Sequence, residues 1–177
     1  MRQKKVLTIL LFVAVCTITS YAQLRHVQGV HLTGISYGAV PSTDGSTHII
    51  GLNYSKYLQR NWTLNLSGSY DFGTIQSINV KNYHFNGGVD YTIFHFGNFL
   101  YGNVGLSLLA GLESLRASET SEKKNSFISG PSGNANIEMY LTDKIVLQVK
   151  AEQNFLSGSK LSNWYFAYHV SLKYCIF

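Results

Sequence analysis

The sequence predicts an all-β fold: an eight-stranded, antiparallel, up-and-down transmembrane β-barrel of the outer-membrane type. Three observations predict it: an aromatic-rich amphipathic strand that runs to the C-terminus, alternation of apolar and polar residues along most of the chain, and connections that alternate between long and short. Side chains point alternately to the two faces of a strand, so period two separates an apolar face from a polar face. In a membrane barrel the apolar face meets lipid and the polar face lines the lumen.

The N-terminal residues 1–22 are predicted to be a cleaved secretory signal peptide. A basic stretch at residues 2–5 is followed by an apolar core at residues 6–18, and the small residues Ser20 and Ala22 precede the cleavage site. An uncleaved membrane anchor is the alternative. The apolar core is short for that role, because a spanning helix needs about 20 apolar residues.

Residues 23–177 are predicted to form a single barrel domain. This part of the chain contains one cysteine, Cys175, which excludes an intrachain disulfide. Without the three basic residues of the signal peptide, 11 Lys and Arg stand against 9 Asp and Glu, a net charge of about +2. That charge is not the basic surface that nucleic-acid binding requires. Charged residues make up only 13% of the sequence, about half of their share in soluble proteins.

The first predicted strand, residues 28–38, has the weakest pattern. Val30 and Leu32 lie on one side of it, and His31 and Thr33 lie on the other. With it the strands number eight, and both termini are expected on the periplasmic rim, where the short turns lie.

Seven further strands separate the two faces more clearly. They are predicted at residues 47–58, 62–72, 82–94, 99–112, 131–141, 145–155 and from Trp164 to the C-terminus. Their apolar faces carry, in order, Ile50, Leu52, Tyr54 and Leu58; Trp62, Leu64, Leu66, Tyr70 and Phe72; Tyr83, Phe85, Val89, Tyr91 and Ile93; Leu100, Val104, Leu106, Leu108 and Ala110; Ala135, Ile137, Met139 and Leu141; Ile145, Leu147, Val149 and Ala151; and Trp164, Phe166, Tyr168, Val170, Leu172, Tyr174 and Ile176. The opposite faces consist mainly of Asn, Ser, Gly and Thr.

The connections between these strands alternate strictly in length. Short turns are predicted at 59–61, 95–98 and 142–144, and long loops at 39–46, 73–81, 113–130 and 156–163. Short turns on one rim and long loops on the other are typical of outer-membrane barrels. The loop at 113–130 is expected to be a solvated, flexible tip.

A soluble eight-stranded barrel, such as a lipocalin, is the alternative fold. It would turn its apolar face inward and its polar face to water. The long, continuous aromatic stripes and the scarcity of charge on the opposite faces favour the membrane barrel.

Charged residues on the polar faces cluster in the last three predicted strands. Pairing across the turn at Asp143 should bring Glu138 near Gln148 and Lys150, and pairing across the last loop should bring Lys150 near His169. An eight-stranded barrel is just wide enough for its own side chains to fill it. Buried charges must pair, so we expect a salt-bridge plug in the lumen; a proton-coupled or catalytic role is the alternative. The cluster consists of Glu138, Lys150, Glu152, His169 and Lys173.

The sequence predicts no catalytic, cofactor-binding or metal-binding residue, and therefore no enzyme and no cofactor. His169 and Ser171 have the His-x-Ser spacing of outer-membrane lipid A deacylases, but both are expected to face the lumen, away from a lipid substrate. The six histidines do not have the spacing of metal ligands.

Several segments carry a resemblance to one known family. They are residues 105–107, 110–113, 136–147, including Tyr140-Leu141-Thr142-Asp143, and 170–174, together with Ala22-Gln23 and the glycine-spaced stretch 29–34. In these segments the chain resembles the conjugative transposon protein TraO family of Bacteroidetes mobile elements. Members of that family tend to have a Cys-x-Pro-Gly segment after the mature start, where this chain has residues 24–29 instead.

The resemblance implies a non-enzymatic outer-membrane component of a conjugative transfer apparatus of the type IV secretion kind. Its expected partners are outer-membrane lipid and other envelope proteins of that apparatus, without direct nucleic-acid binding. The alternative is a stand-alone small outer-membrane barrel that stabilises the envelope or binds a ligand or a surface with its loops. Eight strands leave no channel wide enough for DNA or protein, so a plugged, non-conducting barrel is expected.

Overall fold

A computed structural model describes residues 27–42, 45–75, 78–117 and 123–176, so the predicted signal peptide lies outside the described residues. Eight strands follow one another: β1 (His31–Ser42), β2 (Gly45–Gln59), β3 (Trp62–Ile75), β4 (Ile78–Phe96), β5 (Leu100–Ala117), β6 (Lys123–Tyr140), β7 (Ile145–Phe155) and β8 (Trp164–Ile176). They form a closed barrel in chain order, and β8 pairs antiparallel with β1. The predicted fold class is confirmed. Within the described ranges no helix is long and apolar enough to cross a membrane.

The barrel turns its apolar faces outward. Leu52, Leu106 and Leu108 are each about 70% exposed (69%, 74% and 71%). The polar faces of the strands point into the lumen, where Asp71 and Glu138 are almost completely buried. This is the arrangement of a membrane barrel and the reverse of a soluble one, because only lipid provides an apolar environment for such an exterior.

Apolar residues at the start of the barrel lie on both sides of the wall. Val30, just before β1, and Leu32 lie inside the barrel, while Ile35 and Tyr37 of β1 are exposed on the outer wall. The reason is an apolar cluster that fills the lumen at this end. It consists of Val30, Leu32, Tyr57, Tyr101, Tyr140, Val146 and Cys175.

Aromatic side chains form two belts on the outer wall. The rim with the C-terminus is called the inner rim, and the opposite one the outer rim. Successive ring contacts at centroid distances of 4.9–5.9 Å build part of the outer belt from Tyr37, His48, Phe72, Tyr70 and Tyr83. The inner belt includes Trp62 with Tyr91, at 5.0 Å, and His31 with Tyr54, at 5.7 Å. Trp62 and Tyr70 of β3 are roughly 20 Å apart along the barrel axis at the usual rise and tilt, close to the apolar band of outer-membrane barrels.

The inner-rim turns agree with the prediction, but three of the long loops were predicted wrongly. The described residues of 39–46, 73–81 and 113–130 belong to paired strands that continue to Ser42 and Gly45, to Ile75 and Ile78, and to Ala117 and Lys123. Backbone pairing does not require lipid, so a strand continues where its apolar alternation fades. The fourth loop, 156–163, lies between β7 and β8 as predicted.

The extensions make the wall uneven in height. Strands β4, β5 and β6 have 19, 18 and 18 residues, whereas β1 has 12 and β7 has 11. One side of the barrel therefore projects beyond the outer belt. The start of the 156–163 loop continues the pairing of β7 along this taller wall, because Ser157 and Ser129 of β6 exchange two backbone hydrogen bonds.

Candidate functional site

The inner end of the lumen is closed by a buried ion pair above the apolar cluster. Lys173 Nζ of β8 lies 3.3 Å from Glu138 Oε1 of β6 and donates to Ser55 Oγ at 3.0 Å. Gln148 Nε2 donates to the same carboxylate at 3.1 Å, and the Tyr57 hydroxyl donates to it at 3.0 Å. A buried charge is tolerated only with such partners. Four strands are thus tied together across the barrel.

This arrangement confirms the register that the sequence predicted for the last three strands. Glu138 lies opposite Gln148, and Lys150 lies opposite His169. Lys150 Nζ also forms an ion pair with Glu152 of its own strand, and Glu152 accepts a hydrogen bond from Asn86 Nδ2 at 3.2 Å. The five predicted lumen residues therefore share one interior, and the expected salt-bridge plug is present.

A second carboxylate, Asp90 of β4, is surrounded by amide side chains. It accepts from Asn134 Nδ2 at 3.1 Å and from Asn136 Nδ2 at 2.8 Å. Asn103 donates to Asn136 Oδ1 at 2.8 Å and accepts from Thr92 Oγ1 at 2.7 Å. Sequence reasoning did not include Asp90 in the lumen cluster, although its position on a polar face at period two was a usable signal.

Nearer the outer rim, Asp71 joins three strands. It accepts from the Tyr165 hydroxyl at 2.6 Å and lies 3.4 Å from His84 Nδ1. The rings of His84 and Tyr165 meet edge to face at 6.1 Å. Asp71 and Tyr165 are separated by 94 positions in sequence, so only barrel closure brings them together.

A small polar cavity of about 60 Å³ remains between these layers. Asn53, Asn65, Glu152 and Ser171 are among the side chains that line it. Such a volume holds at most a few water molecules. His169 and Ser171 both face this interior, as predicted, and Ser171 Oγ accepts from Asn53 Nδ2 at 3.3 Å.

The outer mouth is partly closed by Glu113, which the sequence placed at the start of a solvated tip. The structure corrects this: Glu113 is only 2% exposed. Its carboxylate accepts from Ser126 Oγ at 3.0 Å, Ser159 Oγ at 2.9 Å and the Lys160 backbone N–H at 2.8 Å. We call this group the Glu113 latch, because it holds the 156–163 loop against the β5–β6 wall.

Replacing Glu113 by Ala should release the 156–163 loop. The change leaves three donors without their charged acceptor, and hydrogen bonds to charged groups contribute about 1.5–3 kcal/mol each. We expect proteinase K to cut the loop of the refolded protein at least tenfold faster. Lys160→Ala is the matched control, since Lys160 contributes its backbone N–H. Equal protection of Glu113→Ala and the native chain would contradict the latch.

The polar layers of the interior stabilise the barrel by joining strands across the lumen. Among the described residues no group of three or more His, Cys, Asp and Glu side chains is placed to hold a metal ion. The carboxylates of Asp71, Asp90 and Glu138 accept from amide, hydroxyl and ammonium donors on strands across the lumen.

Solved structures similar to this chain include small outer-membrane barrels. OprG from Pseudomonas aeruginosa aligns with a TM-score of 0.61 at 12% identity, over 86% of this chain and 98% of OprG. Neisserial surface protein A aligns at 0.59 and 12% identity, over 83% and 95%. Ail, the attachment invasion locus protein of Yersinia pestis, aligns at 0.58 and 14% identity, over 85% and 100%. At such identities the likeness shows the fold alone.

Sequence comparison gives a more specific result. The family model described as conjugative transposon protein TraO matches residues 24–176, which is nearly the whole chain. No match was found among curated proteins.

Proposed function

Since the chain belongs to the conjugative transposon protein TraO family, we propose that it is a non-enzymatic outer-membrane component of a conjugative transfer apparatus of the type IV secretion kind. The family match carries this proposal. The apolar exterior between two aromatic belts supports a location in a membrane. The similarity to outer-membrane barrels supports the outer membrane in particular.

The location can be tested by fractionation. Urea-washed outer membranes should retain the mature chain, and its gel mobility should change on heating because a folded barrel resists SDS. Recovery of the chain in the soluble periplasmic fraction would contradict the proposed location.

Within the apparatus, the barrel acts as an anchor rather than as a conduit. The Lys173–Glu138 pair, the amides around Asp90 and the Glu113 latch occupy the lumen from the inner to the outer rim. An anchor of this kind would present its inner-rim turns to other envelope proteins of the apparatus, which are its proposed partners.

A filled lumen should not conduct ions well. Purified protein in planar lipid bilayers is expected to give no large, stable conductance, because the polar cavity between the described lumen layers has a volume of about 60 Å³. Glu113→Ala should leave this result unchanged, since the inner layers remain. Conductance steps as large as those of a porin, recorded with the native chain, would contradict the anchor role.

Mating assays test the function itself. A clean deletion in the donor should lower transfer frequency by orders of magnitude, and the native gene in trans should restore it. Normal transfer from the deletion strain would refute the proposal. A deletion strain that transfers normally but loses envelope integrity or surface binding would instead support the stand-alone barrel. The observation that favours this alternative is the tall wall formed by β4, β5 and β6.

A further inference from the structure

A shallow apolar groove crosses the lipid-facing wall. It begins at Leu147 and Leu172 in the middle of the wall and reaches Tyr83 in the outer belt. Its floor includes Gly68 of β3, where an added Cβ would meet no atom within 4 Å. The neighbours of Gly68 across the sheet are Leu52 and Phe85. Ile35, Ile50 and Tyr70 also line the groove with outward-facing side chains.

Two basic residues lie beyond the outer end of this groove, on β4 and on β5. Lys81 is the next outward-facing residue beyond Tyr83 on β4, roughly 7 Å further along the strand. Arg116 of β5 is its diagonal neighbour, because Lys81 lies opposite Ser114; such neighbours are roughly 7–8 Å apart. Both side chains are exposed. In the described part of the chain no acidic side chain lies within ion-pair distance of either.

We propose that the groove and these two residues form a binding site for a phosphorylated, acylated glycolipid of the outer leaflet. One acyl chain lies over Gly68, and the phosphate is bound by Lys81 and Arg116. This inference rests on the outer-membrane location proposed above.

The chemistry of the site favours this ligand. A guanidinium group binds phosphate oxygens in a two-pronged geometry, and a lysine adds a point charge. Each basic residue at a membrane surface contributes about 1 kcal/mol toward an anionic lipid, or roughly a fivefold gain in affinity. The rings of Tyr70 and Tyr83 lie between the apolar groove and the charges, at the depth where a sugar headgroup meets its acyl chains.

Lipid binding can be measured on the purified, refolded mature chain in detergent micelles. Native mass spectrometry with monophosphoryl lipid A gives the fraction of lipid-bound protein over a titration. Lys81→Gln and Arg116→Gln should each weaken binding about fivefold, and the double variant about twentyfold. Lys56→Gln is the matched control, because Lys56 lies on the outward face of β2 near the inner rim, opposite His31; its affinity should not change.

The acyl-chain part of the site has its own pair of variants. Gly68→Leu fills the groove and should weaken binding at least tenfold. Gly133→Leu is the control, because Gly133 also has room for an added Cβ but lies on β6, outside the groove. Both variants should keep heat-modifiable gel mobility, which shows that they fold.

Three results would overturn the inference. They are unchanged binding in both Lys81→Gln and Gly68→Leu, equal affinity for dephosphorylated lipid A, and equal affinity for phosphatidylglycerol, which has a phosphate without the sugar. The measurement uses purified protein, so its outcome is independent of the mating and fractionation results.

Discussion

Replacing Lys173 by Met should destabilise the barrel by about 3–5 kcal/mol, the cost of leaving a buried charge without its partner. Lys173 is 3% exposed, and Glu138, its partner at 3.3 Å, is 2% exposed. Met preserves the length and the apolar stem of the lysine, so the loss of charge dominates the effect. Urea unfolding of the refolded chain in lipid vesicles, followed by tryptophan fluorescence, measures the free energy of unfolding.

A second substitution separates lost pairing from lost packing. In the Lys173→Met background, Glu138→Gln removes the orphaned charge while keeping a side chain that can bond with Tyr57 and Gln148. We expect most of the stability to return, since a buried pair can be replaced by neutral residues at little cost. Lys144→Met, in the exposed β6–β7 turn, should have almost no effect. A double variant as unstable as Lys173→Met alone would disprove the ion-pair explanation.

The neighbouring position tests which face of β8 meets lipid. Leu172→Arg places a charge on the outer wall, at a residue 49% exposed and paired with Ile35 and Leu147. A charge near the bilayer midplane costs roughly 2–4 kcal/mol in such barrels. The folded fraction in outer membranes, measured by heat-modifiable gel mobility, should fall sharply.

Ser171→Asn is the comparison for Leu172→Arg, because it adds polar atoms to the opposite face of the same strand. Ser171 lines the polar cavity, which has room for the larger side chain and amides to bond with it. Its effect should be much smaller. A one-residue shift in register would exchange the two faces. If Ser171→Asn lowered the folded fraction as much as Leu172→Arg, or more, the assignment of the two faces would be inverted.

Most of the barrel could be predicted from sequence, because its main signal is local. Period two places a residue such as Leu106 outside and its neighbour Ser107 inside whatever the partner strand is. The turn at residues 142–144 is short, so it determines which residues of β6 and β7 face each other, and the Glu138–Gln148 register follows. The family resemblance, also based on local motifs, agrees with the match over residues 24–176.

The errors of prediction came from features that have no local signal. The apolar side of β1 turned out to face inward, since Val30 and Leu32 pack on residues from other strands, such as Tyr57 and Val146, that also fill the inner end. The strands above the outer belt were taken for loops, because hydrogen bonding continues there without an apolar face.

The sequence by itself therefore determined the strands, their order, their two faces and the family, since each depends on alternation, turn position or motif within a few residues. Only the tertiary structure decided which polar groups from strands far apart in sequence meet inside. Asp71 meets Tyr165 and Glu113 meets Ser159 because β8 closes on β1 and the strands are staggered around the barrel. The groove over Gly68 likewise depends on side chains from several strands lying at matching heights. Such placements follow from the closure and shear of the whole sheet, which no single segment encodes.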